Sequence, residues 1–165
     1  MEHTENASEV VVYTDGSCSQ GQDSPLRGTG GWAALICMGG KEIRIAGHNP
    51  ATTNTRMELT AAVRALTEHL KFGRSIRIRL CSDCENLITG LNCYLTQWAL
   101  QGWRNLRGQP LRNADLWKQL LGLKRRLNIE AVWVKAHASD LKNQAADELA
   151  GRARHGLRLC GNSAF

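Results

Sequence analysis

A Gly-Gly pair set between two apolar runs does most to limit the folds open to this chain. Gly39-Gly40 separates Trp32–Met38 from Lys41–Gly47, and paired glycines between β-patterned runs signal a tight hairpin. Upstream, Val10–Thr14 within "VVVYTDGSCS" is β-branched and aromatic and predicts a strand headed for burial. Ser17–Gly31, rich in Gly, Ser and Gln with Pro25 inside, is expected to be a loop. The first three strands are therefore expected to run antiparallel. The period then changes. Thr55–Leu70 sets Ala61, Ala62, Ala65, Leu66 and Leu70 on one helical face. Ser75–Cys81 alternates Ile76, Ile78 and Leu80 against Arg77 and Arg79, the period of a strand. Cys84–Gly90 and Tyr94–Gln101 predict short helices, and Gly102–Leu111 an irregular basic segment. Asn113–Leu127 predicts a helix capped by Asn113, with Asp115 in its first turn. Ile129–Val134 predicts a strand and Leu141–Arg154 a last helix. Strands followed by alternating helices and strands give an α/β protein, a mixed sheet with helices on its faces.

The 165 residues suit one domain. No apolar run of about 18 residues is present, so no membrane span is expected. The polar start "MEHTENASEV" has no apolar stretch of the kind a signal peptide carries. Residues 1–8 are expected to be a disordered tail, 9–155 the folded domain and 156–165 a C-terminal tail. A cytoplasmic location follows as an expectation. The net charge of +6 is compatible with a polyanionic partner. Six cysteines without a secretory signal are expected to be free thiols. Cys81 and Cys84 form a C-x-x-C, but no second pair completes a zinc site.

Four carboxylates stand where burial should penalise them. Asp15 follows the Val10–Thr14 strand directly, and Asp83 follows the strand ending at Cys81. Glu58 shares its helical stripe with Ala61, Ala62, Ala65 and Leu66. Asp147 lies in the last helix beside Asn143, Gln144, Ala150 and Gly151, small neighbours that would let that helix approach the sheet. Taken one at a time, each has a plainer explanation. Glu58 could pair with Arg56 or Arg64, Asp83 could cap the helix from Cys84, and Asp147 could be a surface acid. Taken together, Asp15 and Asp83 end strands, where open α/β sheets bind ligands, and the other two come from covering helices. Clustered carboxylates repel, and a hard cation with oxygen ligands such as Mg²⁺ or Mn²⁺ relieves the repulsion.

"YTDGSC", "TTNTRMELTAA", "SDCENL", "NADLW", "WVKAH" and "NQAADELA" together resemble the motifs of type 1 bacterial ribonuclease H, from about Val10 to Arg154. The resemblance implies a five-stranded mixed sheet in order 3-2-1-4-5, its first three strands antiparallel, with helices on both faces. It implies an endoribonuclease that cuts the RNA strand of RNA/DNA hybrids, leaving 5′-phosphate and 3′-hydroxyl ends. It places the catalytic and metal-binding quartet at Asp15, Glu58, Asp83 and Asp147, holding two Mg²⁺ ions, with Mn²⁺ a possible substitute. His137 matches a mobile histidine that assists proton transfer or product release. Gly16 and Cys18, with Asn54 and Thr55, match positions that meet ribose 2′-hydroxyls or base edges. Thr53 and Asn113 match a pocket for a DNA-strand phosphate. The segment 94–112 resembles a basic, aromatic handle, with Tyr94, Trp98, Trp103, Arg104 and Arg107, and Trp117 just beyond; core packing is an equal reading of Trp98 and Trp117. A hybrid duplex is the implied partner, with no obligate protein partner and a monomeric chain.

Departures bear on these expectations. The handle reads Ala99-Leu100-Gln101 where close relatives carry Lys and Arg, so affinity should be lower and its salt dependence shallower. Glu85 stands where Gln is common. The Ser19–Gly31 loop lacks the family's Asn-Pro-Gly run, and Ala136 replaces a Gly beside His137. The alternative is a hybrid-binding module of the same fold with weak or no catalysis; the intact quartet argues against it.

Overall fold

The structure, a computed structural model, describes residues 9–20, 27–72, 76–135 and 140–156. Five strands form one sheet in the order β3-β2-β1-β4-β5. They are β1 (Glu9–Cys18), β2 (Gly28–Met38), β3 (Lys41–Thr52), β4 (Arg77–Ser82) and β5 (Asn128–Trp133). β1 pairs antiparallel with β2 and parallel with β4, and β5 joins β4 in parallel. This is the expected sheet and order. Gly39 and Gly40 both have positive φ, 56° and 76°, the requirement of a two-residue hairpin turn that twists with its strands.

Alternation along the strands splits the core between two faces. On one face, Val10, Val12, Ala34, Ile36, Ile78 and Leu80 pack under Leu59 and Leu66 of helix α1 (Asn54–His69) and Leu120 of helix α4 (Ala114–Arg126). On the other, Ala33 and Leu35 meet Ala146, Leu149 and Ala150 of helix α5 (Leu141–Arg154). α5 has the predicted bounds. Its N-cap Asp140 accepts hydrogen bonds from the Lys142 and Asn143 amides, satisfying donors that a helix start leaves open.

Several boundaries differ from the sequence reading. The two ends of the predicted loop from Ser17 to Gly31 are strand: Ser17 pairs with Gly31 and Cys18 with Gly30. β3 runs on past Gly47 to Thr52, through Pro50. An edge strand tolerates proline, because one side of its ladder has no partner. The two short helices around Cys84–Gln101 are α2 (Glu85–Thr89) and α3 (Leu95–Leu100), joined by a wide π-helical turn over Gly90–Tyr94. Asn113 does not cap α4 through its side chain. It is left-handed (φ 56°), and its Oδ1 accepts instead from Arg56 Nη1 at 3.1 Å.

Candidate active site

Strand register brings the first two acids together. Tyr13 lies opposite Cys81 on parallel neighbours. Two further residues along each chain are Asp15 and Asp83, so both acids emerge at the same end of adjacent strands. Glu58 arrives from α1 because Gly16 leaves room: a Cβ on Gly16 would sit 2.4 Å from the Glu58 amide nitrogen. One ligand oxygen from each of Asp15, Glu58 and Asp83 lies within 4.8 Å of the others. Asp147, exposed on α5, lines the same cleft beside Asp15. Here the decisive small residue is on the sheet. A Cβ on Gly31 of β2 would meet the Ala150 carbonyl and the Arg154 amide at 2.3 Å, whereas one on Gly151 would meet nothing within 4 Å. Of the small α5 neighbours expected to allow the approach, Ala150 is buried in one cluster with Ala33 and Leu35, whereas Gly151 takes no part.

The cleft encloses about 700 Å³, and its wall is polar at Ser17, Asn54, Thr55, Glu85 and Asn86. Asp15 and Glu58 are only 4% and 2% exposed. Burial, then the neighbouring Asp83 and Asp147, push the Asp15 carboxyl up from 3.8 to about 8. Burial, then Asp15 and Asp83, hold the Glu58 carboxyl well above the usual range. The Gly16 amide opposes both shifts, and Asn54 Nδ2 donates to Glu58 Oε1 at 3.5 Å. Neither arginine considered for Glu58 serves it. Arg56 grips Asp115 with both terminal nitrogens, at 3.0 and 2.5 Å, and Arg64 is exposed. Asp83 is not the helix cap: Cys84 holds that position, and its amide donates to Ser82 Oγ.

Asp15 Oδ2 and Glu58 Oε2 are shielded from solvent and have no hydrogen-bond partner. Two such oxygens are costly unless a ligand satisfies them. A compact, oxygen-only set with buried, unpartnered members fits a hard divalent cation. The Cys84 thiol beside it is pushed up to about 12 by burial and then by Glu58, so it stays protonated at neutral pH and adds no soft ligand. Among the described residues, the cysteines at 18, 37, 81, 84 and 93 form no disulfide.

The other predicted residues fall into three groups. Gly16, Cys18, Asn54 and Thr55 line the acidic cleft. Thr53 and Asn113 are brought together by Arg56, whose amide donates to Thr53 Oγ1 and whose guanidinium donates to Asn113 Oδ1. The aromatic residues form a ladder away from the acids: Tyr94, 46% exposed, lies 5.6 Å from Trp98, which lies 5.0 Å from Trp117. Trp117 is 3% exposed and belongs to the core, the packing reading weighed above; its ring fills the space over Gly90. Trp103 is left-handed at φ 62°, with Lys118 Nζ 5.8 Å from its ring. Arg104 donates to the Gly108 carbonyl at 2.7 Å, and Arg107 is exposed. His137 lies outside the described residues.

Sequence reasoning missed Ser17, Cys84, Asn86 and Trp133 as cleft residues, and it set Glu85 aside. Trp133 Nε1 donates to the Asp83 carbonyl at 3.2 Å. Its pairing with Ser82, inferable from strand ends that align, was the available signal.

Known proteins share this arrangement over most of its length. Residues 7–155 match the family described as RNase H. The chain is 44% identical over 144 residues to a Ribonuclease H of Pseudomonas paraeruginosa, covering 87% of this chain and 92% of that protein. It is 41% identical over 148 residues to one of Acidiphilium cryptum, covering 90% and 88%. Among solved structures it resembles LC9-RNase H1, described as a type 1 RNase H with the type 2 active-site motif. That match has a TM-score of 0.79 and 27% identity over 93% of this chain and 75% of the other. LC11-RNase H1 in complex with an RNA/DNA hybrid shares the fold at a TM-score of 0.65 and 19% identity, over 89% and 97% of the two chains. Since the matched span takes in every described strand and helix, this chain belongs to the RNase H family.

Proposed function

We propose that this chain is a metal-dependent endonuclease that hydrolyses the RNA strand of RNA/DNA hybrids, with Asp15, Glu58, Asp83 and Asp147 as its metal-binding and catalytic acids. The observation that carries this reading is the set of buried carboxylate oxygens without partners, gathered at the strand ends in a chain of the RNase H family. The cation is Mg²⁺, two per site, with Mn²⁺ as a substitute. Such ions supply an activated water and stabilise the leaving 3′ oxygen.

The chain's own groups prepare that chemistry. Burial and mutual repulsion favour the protonated forms of Asp15 and Glu58, and a divalent cation held there would favour their carboxylates instead. Asn54 and the Gly16 amide orient the two carboxylates. The Trp133 indole holds the Asp83 carbonyl, steadying the turn that carries that acid. His137 moves a proton at the leaving group or helps product depart. Only RNA offers 2′-hydroxyls in the wide minor groove. The backbone at Gly16 and Cys18, with Asn54 and Thr55, reads them beside the acids. Thr53 and Asn113 take a phosphate of the DNA strand, and the segment 94–112, with Tyr94, Trp98, Trp103, Arg104 and Arg107, guides that strand away. The protein acts as a cytoplasmic monomer.

Incubating the protein with labelled RNA/DNA, RNA/RNA and DNA/DNA duplexes, in Mg²⁺ or in chelator, tests the reading. Cleavage of the hybrid's RNA alone, in Mg²⁺ alone, giving 5′-phosphate products, is the expected result. Cleavage in chelator, or binding of the hybrid with no cleavage in either cation, overturns it.

A further inference from the structure

The acidic cleft has to accept a polyanion, yet among the described residues its lining contains no lysine and no arginine. Cations held by the quartet would compensate the scissile phosphate and would leave its neighbours facing carboxylates. The nearby Arg56 is committed to Asp115. Arg154, in the last turn of α5, is placed differently. Its Nη1 donates to the hydroxyl of the cleft residue Ser17 at 3.2 Å. Among the described residues its buried Nε has no partner, and its Nη2 meets the His155 ring nitrogen at 3.4 Å. Among the described residues no carboxylate lies within 4.0 Å of it. A half-buried guanidinium that has no counter-charge among the described residues, tied to the wall of a carboxylate cleft, suits a phosphate.

Its position identifies the anion. Asp147, Gly151 and Arg154 follow the spacing of one helical face. Seven residues at ~1.5 Å rise put Arg154 roughly 10 Å along α5 from Asp147. Phosphates recur every ~3.4 Å along the axis for each strand, so this separation corresponds to about three nucleotides. Between the two, Gly151 offers no side chain, and a Cβ there would meet nothing within 4 Å. Among the described residues nothing stands over Gly151.

We propose that Arg154, with the Ser17 hydroxyl, binds a phosphodiester of the RNA strand about three nucleotides from the one that is cut. The guanidinium supplies the charge, and Ser17 fixes its direction toward the cleft. This inference rests on the hybrid-cleavage reading above.

The test measures binding of a labelled RNA/DNA hybrid in chelator across a salt series, for the wild type, Arg154→Gln and Arg154→Lys, with melting temperatures alongside. Arg154→Gln is expected to bind about 10-fold more weakly at low salt. Its plot of log Kd against log salt is expected to be shallower by about 0.9, the value of one phosphate contact on a duplex. Arg154→Lys is expected to keep the wild-type slope. In the unaltered protein, hybrid is expected to protect Arg154 from phenylglyoxal, read by peptide mass. An unchanged slope in Arg154→Gln, or equal modification with and without hybrid, overturns the site and leaves Arg154 a packing residue. Wild-type protein that neither binds nor cuts the hybrid defeats the underlying reading instead, so the two failures are distinct.

Discussion

Replacing Gly16 with alanine is expected to pull the acidic site apart. The added Cβ would sit 2.4 Å from the Glu58 nitrogen and 2.7 Å from the Met57 carbonyl carbon. Both are backbone atoms, so no side chain can swing aside. Ordinary contact begins at 3.4 Å, and β1 and α1 must therefore separate by about 1 Å, carrying Glu58 away from Asp15. Overpacking of this kind costs about 1–3 kcal/mol, and in a domain of this size each kcal/mol lowers Tm by about 2–4 °C. A displacement of about 1 Å between catalytic groups costs around 10²-fold in rate, so activity should fall further than stability suggests. Calorimetry gives Tm, and steady-state cleavage at saturating hybrid and Mg²⁺ gives kcat. Gly122→Ala is the control: a Cβ there meets nothing within 4 Å. In the interior of α4 it should stabilise by roughly 0.5–1 kcal/mol and leave cleavage unchanged. Wild-type Tm and kcat in Gly16→Ala would refute the claim that backbone contact at this glycine sets the Asp15–Glu58 spacing.

Three other outcomes are expected. Asp15→Asn should abolish Mg²⁺-dependent cleavage while hybrid binding, measured by fluorescence polarisation, persists; retained turnover removes Asp15 from the metal site. His137→Ala should slow cleavage by about 10–10³-fold, the scale of general acid–base assistance, and an unchanged rate in stopped assays makes it scaffold. In chelator, stability should decline as pH rises from about 4 to about 8. Across that window folded Asp15, held up to about 8, keeps a proton that the unfolded chain has already lost at 3.8, so rising pH favours unfolding. Mg²⁺ should therefore raise Tm more near pH 8 than near pH 5, and equal increments at the two pH values contradict the assignment.

Three of the acids were legible because each broke a local rule. Glu58 sat on an apolar stripe, and Asp15 and Asp83 ended buried strands. α5 was legible to the residue because an aspartate cap precedes it and small apolar residues recur along one face. The Gly-rich stretches on either side of residues 19–27 were not. Glycine is depleted in strands, yet Gly16, Gly30 and Gly31 lie in strands because helix backbone or Thr52 and Met57 press against them, a tertiary cause that no local pattern carries. The strand through Pro50 required knowing that β3 is an edge. Arg56 stays a candidate partner for Glu58 in the sequence because its actual partner, Asp115, lies on α4, and the packing of α4 against α1 is a tertiary fact. Trp117 could be sorted from Trp98 only by depth.

The quartet comes from four separate elements: two adjoining strands and one helix from each side of the sheet. No stretch of the chain short of nearly the whole domain contains all four. A chain still emerging from the ribosome, with α5 not yet made, lacks Asp147 and has nothing packed over that face of β1. The complete acidic set is thus assembled by the last helix, and any chemistry that needs all four carboxylates waits on the finished fold.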